Sequence, residues 1–414
     1  RATFDKDAAF EDTAAAFFDA DGDGDLDLFV GAGGNAAGVA QPLMQSRIYL
    51  NDGKGHFTFN PRALPLNGFN TCKAVPFDFD GDGDMDIFAL SRSVPGVYGV
   101  PPRQFLYQND GKGIFRDVTK MNAPDFNTLG MVCDAKLADV TGDGKPELVV
   151  VGEWMAPQIF KVENGHFTKM TSNLDEFSGW WYAVESADVD GDGDQDLILG
   201  NQGENFYFNG TKEAPAKLWV WDFDSNGTVE KVMTRQVDGR DMPVPLKKEI
   251  TGQVPSLKKK ALKHVDYAKK SIQELFDPAI LKQAMVREGN YFKSTVALND
   301  GNGHFTLVEL PREVQFSCVC AIFCGDLDGD GKPDLVLGGN DSGFMPQFSK
   351  LDASRGHVLL NRGGGKFERI ENRLSGFSVR GDMKQLISLK NGGKNRLLVL
   401  VNNEVPRIFD FQKK

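Results

Sequence analysis

A nine-residue stretch with a carboxylate at every second position recurs through this chain, and it restricts the fold more than any other feature. The clearest copy reads Asp19-Ala20-Asp21-Gly22-Asp23-Gly24-Asp25-Leu26-Asp27. It returns at Asp78–Asp86, Asp139–Glu147, Asp188–Asp196, Asp222–Glu230 and Asp326–Asp334. Carboxylates this close repel one another strongly unless a cation sits among them. Oxygen donors at alternate positions, with glycine for the sharp turn, meet the needs of a calcium ion. A solvated acidic turn would explain one copy. Copies in register at six places are read as calcium loops, holding up to six Ca2+.

The role of each position follows from its reach. In the first loop Asp19, Asp21 and Asp23 project side-chain oxygens, Asp25 offers its carbonyl, and Asp27 closes the shell from the following strand. The same assignment gives Asp78, Asp80, Asp82, Asp84 and Asp86 in the second loop. It gives Asp188, Asp190, Asp192, Asp194 and Asp196 in the fourth, and Asp326, Asp328, Asp330, Lys332 (by its carbonyl) and Asp334 in the sixth. The third uses Asp139, Thr141, Asp143, the Lys145 carbonyl and Glu147; the fifth uses Asp222, Asp224, Asn226, Thr228 and Glu230. Fewer formal charges predict weaker binding in these two, which should empty first under graded chelation.

The first residues of the loops (19, 78, 139, 188, 222, 326) lie 59, 61, 49, 34 and 104 residues apart. A period near 60 fits a four-stranded propeller blade with roomy turns. A strand-like stretch such as Ala14–Phe18 precedes each loop. An apolar or alternating run follows it, as in Leu26–Val30, Met85–Phe88, Leu197–Leu199 and Leu335–Leu337. Next comes a hairpin with an Asn-Asp-Gly type turn, at Ile48–Phe57, Phe105–Phe115, Val296–Phe305 and, in weaker form, Val358–Phe367. Asn-Asp-Gly tolerates the positive φ of such turns. A seventh unit, Leu386–Val399, places Ser388 where Asp326 stands, with Lys390 and Arg396 replacing carboxylates, so it is expected to bind no calcium. The expected fold is therefore all-β, one seven-bladed propeller over residues 1–414. Arg1–Asp12 either closes the ring against the last unit or trails a preceding one.

The 104-residue step holds an insertion at residues 246–290, placed in blade five. Leu257, Ala261, Val265, Ala268, Ile272 and Leu275 repeat near the helical period, and Asp277-Pro278 starts a second helix running to Val286. Lys258, Lys259, Lys260, Lys263, Lys269 and Lys270 make the first helix basic. A solvated face is the favoured reading, a surface for an anionic partner the sharper one.

Composition excludes several classes. A net charge of −11 argues against nucleic acid, which needs a basic face. Six divalent ions would bring that charge to about +1, so the acidity reads as metal demand. No run of 18 apolar residues exists to span a membrane. The chain opens at Arg1, which is read as a mature form whose export signal is out of view. Millimolar calcium outside the cell would fill weak loops, so a periplasmic, cell-surface or extracellular location is expected.

Cys72, Cys133 and Cys320 each stand six residues before a loop, most simply as buried small side chains, more sharply as a thiol or metal site lining a channel. Cys318 and Cys320, read on one face of a strand, make an awkward disulfide. Trp154, Trp180, Trp181, Trp219 and Trp221 pack between blades or stack on sugars. Arg380-Gly381-Asp382 spells an integrin-recognition tripeptide at the start of a strand. His56, His166 and His304 share an exposed turn slot, and no nucleophile elbow, zinc signature or phosphate loop accompanies them.

On these residues the chain closely resembles the FG-GAP/VCBS repeat family, whose blades build integrin α-subunit propellers. It is particularly similar to the bacterial cartilage-acidic-protein (ASPIC/UnbV-associated) group, through Ala16–Val30, Asp78–Phe88, Val151–Trp154, Gly179–Trp181 and Pro255–Lys260. The resemblance implies an exported, calcium-stabilised β-propeller, and is nearly silent on ligand. The expected function is a non-enzymatic binding or scaffold module for a protein or glycan. The alternative is a calcium-dependent polysaccharide-processing enzyme or its accessory domain.

Overall fold

The computed structural model describes residues 3–34, 41–207, 209–260, 262–344, 348, 350–391 and 394–411. The chain divides into two compact units, Arg1–Ala135 with Gln158–Thr171, and Lys136–Pro157 with Ser172–Lys414. Both are built from antiparallel sheets.

In the first unit, β1 (Asp12–Phe18), β2 (Asp27–Ala32), β3 (Arg47–Leu50) and β4 (Thr58–Asn60) hydrogen-bond in chain order. The next four, β5 (Asn70–Phe77), β6 (Asp86–Ser93), β7 (Phe105–Asn109) and β8 (Phe115–Asp117), repeat the arrangement and lead into a single turn of helix, α1 (Thr119–Asn122). An acidic loop joins the first two strands of each sheet, and a glycine turn joins the last two. This is the succession expected from the alternation of apolar runs and turn residues. β5 packs on β1 and β2, and Phe18, Phe29, Ile48, Ile87, Phe105 and Tyr107 form the core between the two sheets. Phe4–Asp7 is a turn of 3-10 helix rather than a strand. Phe4 lies edge-on to Tyr49, whose hydroxyl donates to Asp7 at 2.6 Å.

The chain continues through β9 (Met131–Ala138), β10 (Glu147–Met155), β11 (Gln158–Glu163) and β12 (His166–Met170). In the second unit β13 (Gly179–Ala187) pairs with β14 (Asp196–Asn201). The expected fifth blade differs from the sequence reading here. The strands β15 (Ala216–Trp221), β16 (Glu230–Val237), β17 (Arg240–Pro243) and β18 (Met285–Gly289) form a sheet of their own, in the order β17-β16-β15-β18. β14 pairs instead with β19 (Thr295–Asn299), Leu197 opposite Ala297, and β20 (Phe305–Glu309) completes that sheet. The fifth acidic loop therefore belongs to an inserted sheet inside the fourth repeat. Its loop has the same spacing as the others, although its sheet is not in their series.

The helical insertion lies between β17 and β18. It consists of short helices, α2 (Lys247–Gln253), α3 (Leu257–Lys260), α4 (His264–Ala268), α5 (Ile272–Leu275) and α6 (Pro278–Leu281), not two long ones. Val286 falls in β18, and Ala261 lies outside the described residues. Ile250, Val254, Leu257, Tyr267, Ile272 and Leu275 cover Trp219 and Phe223 of the inserted sheet. Val265, on the expected apolar stripe, is exposed on α4, a helix of five residues.

Two more sheets follow. β21 (Ala321–Gly325), β22 (Asp334–Gly338), β23 (His357–Asn361) and β24 (Phe367–Ile370) repeat the four-stranded pattern; β25 (Met383–Asn391), β26 (Lys394–Val401) and β27 (Arg407–Asp410) make three strands. β21 packs on β13, and β25 on β21. β25 and β26 stay paired from Gln385–Leu400 to Asn391–Lys394. Ser388 is thus mid-strand opposite Leu397, and no degenerate loop opens there; the Gly392-Gly393 turn lies outside the described residues. No helix among the described residues is long and apolar enough to cross a membrane.

Candidate metal centres

Each acidic loop crosses from the first to the second strand of its repeat (β15 to β16 in the inserted sheet), and residues at positive φ make the turn: glycines such as Gly22 (78°) and Gly24 (91°) in the first, Ser225 (59°) with Gly227 (86°) in the fifth. The structure brings positions one, three and nine together. Asp19, Asp21 and Asp27 offer carboxylate oxygens within 4.8 Å of one another. So do Asp78, Asp80 and Asp86; Asp188, Asp190 and Asp196; Asp222, Asp224 and Glu230; and Asp326, Asp328 and Asp334. The third loop, with Thr141 at position three, makes no such triad among the described residues.

The ninth carboxylate also organises the backbone. Asp27, Asp86, Asp196 and Asp334 are buried, and each accepts from two backbone N–H groups. One is at loop position two: Ala20, Phe79, Val189 and Leu327, at 2.8, 3.2, 2.8 and 2.8 Å. The other is the asparagine of the following hairpin: Asn51, Asn109, Asn299 and Asn361, each at 2.8 Å. Where glutamate holds position nine, the second oxygen takes a hydroxyl from its own loop, Thr141 to Glu147 at 2.9 Å and Thr228 to Glu230 at 2.8 Å.

Position one is similarly engaged. Asp19 accepts from Gly22 and Gly24 at 2.8 and 3.0 Å, Asp139 from Asp143 and Gly144 at 3.2 and 2.8 Å. Position five lies outside the triads and receives the N–H of position seven: Asp25 to Asp23, Asp84 to Asp82, Lys145 to Asp143, Asp194 to Asp192, Thr228 to Asn226 and Lys332 to Asp330, at 2.7–3.1 Å. This bond engages one oxygen of each position-five side chain.

Two observations fit a cation at the triads. Oδ1 of Asp21 and Oδ1 of Asp224 are buried with no hydrogen-bond donor, a costly state for a carboxylate unless a positive charge faces it. Burial, with neighbouring carboxylates adding to it, pushes Asp86 up to about 7 and Asp196 to about 6, and raises Asp21, Asp27, Asp190 and Asp334. A divalent ion would reverse that shift. All donors are hard oxygens, as Ca2+ prefers.

The hairpin asparagines were read from the sequence only as turn residues. Their side chains do more. Asn109 Nδ2 donates to Met85 O (3.1 Å) and to Ala20 O in the preceding loop (2.9 Å). Asn299 does the same to Gln195 O and Val140 O, and Asn361 to Pro333 O and Val189 O. None of the three takes a positive φ; the glycines do. Asn109→Ala should cost about 2–3 kcal/mol, since the buried Ala20 carbonyl and the part-buried Met85 carbonyl lose their donor. Denaturant unfolding measures it, and a loss below about 0.5 kcal/mol would deny the bond any role.

The remaining singled-out residues sort plainly. Trp154, Trp180, Trp181 and Trp219 are buried, and only Trp221 is exposed. His56, His166 and His304 are exposed as expected. His357 is buried and lowered to about 4, by burial and then by Arg369. All five cysteines are free thiols; Cys318 and Cys320 lie just before β21 begins rather than within it, with sulfurs 3.3 Å apart.

Residues 19–89 and 139–199, which contain the first four loops, match the model of the FG-GAP-like repeat, and this chain carries such repeats there. Among solved structures it is similar to the V. cholerae biofilm matrix protein Bap1, with 11% identity over 95% of this chain and 85% of that one, at a TM-score of 0.32. A likeness that loose defines neither a shared shape nor a shared activity. No curated protein matches the sequence.

Proposed function

We propose that this chain is a calcium-stabilised β-propeller, of the exported cartilage-acidic-protein type, acting as a non-enzymatic binding or scaffold module for a protein or glycan. One observation carries the reading: first and ninth carboxylates hold backbone N–H groups while their triads converge on one point, so the acidic groups serve loop architecture rather than proton transfer. The packing of first strands, β1 on β5 and β13 on β21 on β25, supports sheets arranged as blades, with the inserted sheet outside the series. The ligand set proposed for each ion is the side chains of positions one, three, five and nine with the carbonyl of position seven. Binding to an immobilised glycan or protein panel, without turnover, is the expected result. Release of a shortened or unsaturated sugar would replace this reading with the polysaccharide-processing one.

A further inference from the structure

At the end of the fifth and sixth sheets remote from the acidic loops, described residues that follow β22, precede β25 and follow β26 line an open cavity of about 460 Å3. Lys350, Arg355, Arg380, Asp352, Asn402 and Asn403 line it. Lys350, Arg355 and Arg380 are exposed and have no carboxylate partner among the described residues, whereas other arginines here pair readily, as Arg362 does with Glu368.

The walls are built rather than loose. Asn340, itself buried, donates to Ser354 O at 3.0 Å and to Gly381 O at 2.9 Å, and receives Ser354 N at 3.1 Å. Asp382 accepts from Ser342 Oγ at 2.6 Å and Ser342 N at 3.2 Å, and Asn402 N donates to Asp382 O at 3.0 Å. The tripeptide Arg380-Gly381-Asp382 is therefore part of a wall, and its aspartate, tied to Ser342, lines the cavity with it. Gly381 sits at φ 98°, and a Cβ there would meet Val401 at 2.7 Å.

We infer that this cavity binds an acidic sugar residue of a glycan, its carboxylate or sulfate held by Arg355, Arg380 and Lys350. Guanidinium groups suit planar and tetrahedral oxyanions. The amides of Asn402 and Asn403 and the carboxylate of Asp352 suit sugar hydroxyls, which both donate and accept. Among the described residues the cavity lacks an apolar lining side chain of the kind that anchors a peptide. Its volume lies in the range of small-ligand sites. The inference extends the binding-module reading and rests on it.

The test is titration of the full chain, at fixed calcium, with an oligogalacturonate, a sulfated oligosaccharide, an uncharged cello-oligosaccharide, an acidic peptide and inorganic phosphate. Binding of either anionic sugar, weakened about tenfold by Arg355→Gln and by Arg380→Gln, is expected. The two sugars distinguish carboxylate from sulfate. Unchanged calcium-dependent melting of both variants shows that they fold. Equal binding of the uncharged sugar, full competition by phosphate or the acidic peptide, or anionic-sugar binding that survives both substitutions overturns the inference. In that last case the binding-module reading stands, whereas sugar turnover would sink that reading instead.

Discussion

Stripping calcium from this protein should lower its melting temperature by roughly 10 °C or more. Each triad that binds only in the folded state adds RT ln(1 + [L]/Kd), about 2.7 kcal/mol when calcium is a hundredfold above Kd. Two triads lie in the first unit and three in the second, for about 5 and about 8 kcal/mol. At about 2–4 °C per kcal/mol for a unit of 150–250 residues, the shift is large. Calorimetry with and without chelator reads it directly, and coincident melting curves would end the metal assignment. The pH dependence should change sign. Without metal, the raised carboxyls of Asp86 and Asp196 favour the protonated fold. Their contribution is fully present below the unfolded value of 3.8 and is lost as pH rises through about 6 to 7, so the metal-free protein gains stability on acidification across that window. The calcium-loaded protein should lose stability over the same range, because protons compete for the ligands.

Asp196→Ala should be among the most damaging single changes, at about 4 kcal/mol even without calcium. It leaves the buried N–H groups of Val189 and Asn299 without an acceptor, each worth about 1–3 kcal/mol, and removes one arm of a triad. Asp192→Ala, in the same loop, should cost less than about 1 kcal/mol, since its carboxylate is exposed and the one backbone bond it takes, from Asp194 N–H, is exposed too. Urea unfolding of the pair in chelator separates them. Equal losses would show that the two carboxylates are alike, as their spacing alone suggests.

The loops and their flanking strands were legible because both depend on local rules: alternate oxygens with glycine at the turn, and period-two apolar runs. Strand partners were not. That β14 pairs with β19, across an inserted sheet and several helices, depends on which apolar faces fit, and no periodicity reports it. The insertion's apolar spacing was real, since Leu257, Ile272 and Leu275 are buried, but the segment breaks into short helices, with Asp277 capping the last through Ala279 N at 2.8 Å. The asparagine interlocks were hidden for a different reason. Asn is the expected residue of a hairpin turn whatever its amide reaches, so turn chemistry concealed a bond to a loop 89 residues earlier.

Those interlocks all reach backward. Asn109 grips a carbonyl at residue 20, Asn299 one at residue 140, Asn361 one at residue 189. During vectorial synthesis the earlier partner has left the ribosome first in all three, so each of these hairpins meets a latch already in place. Assembly of these contacts therefore needs nothing that has yet to be translated.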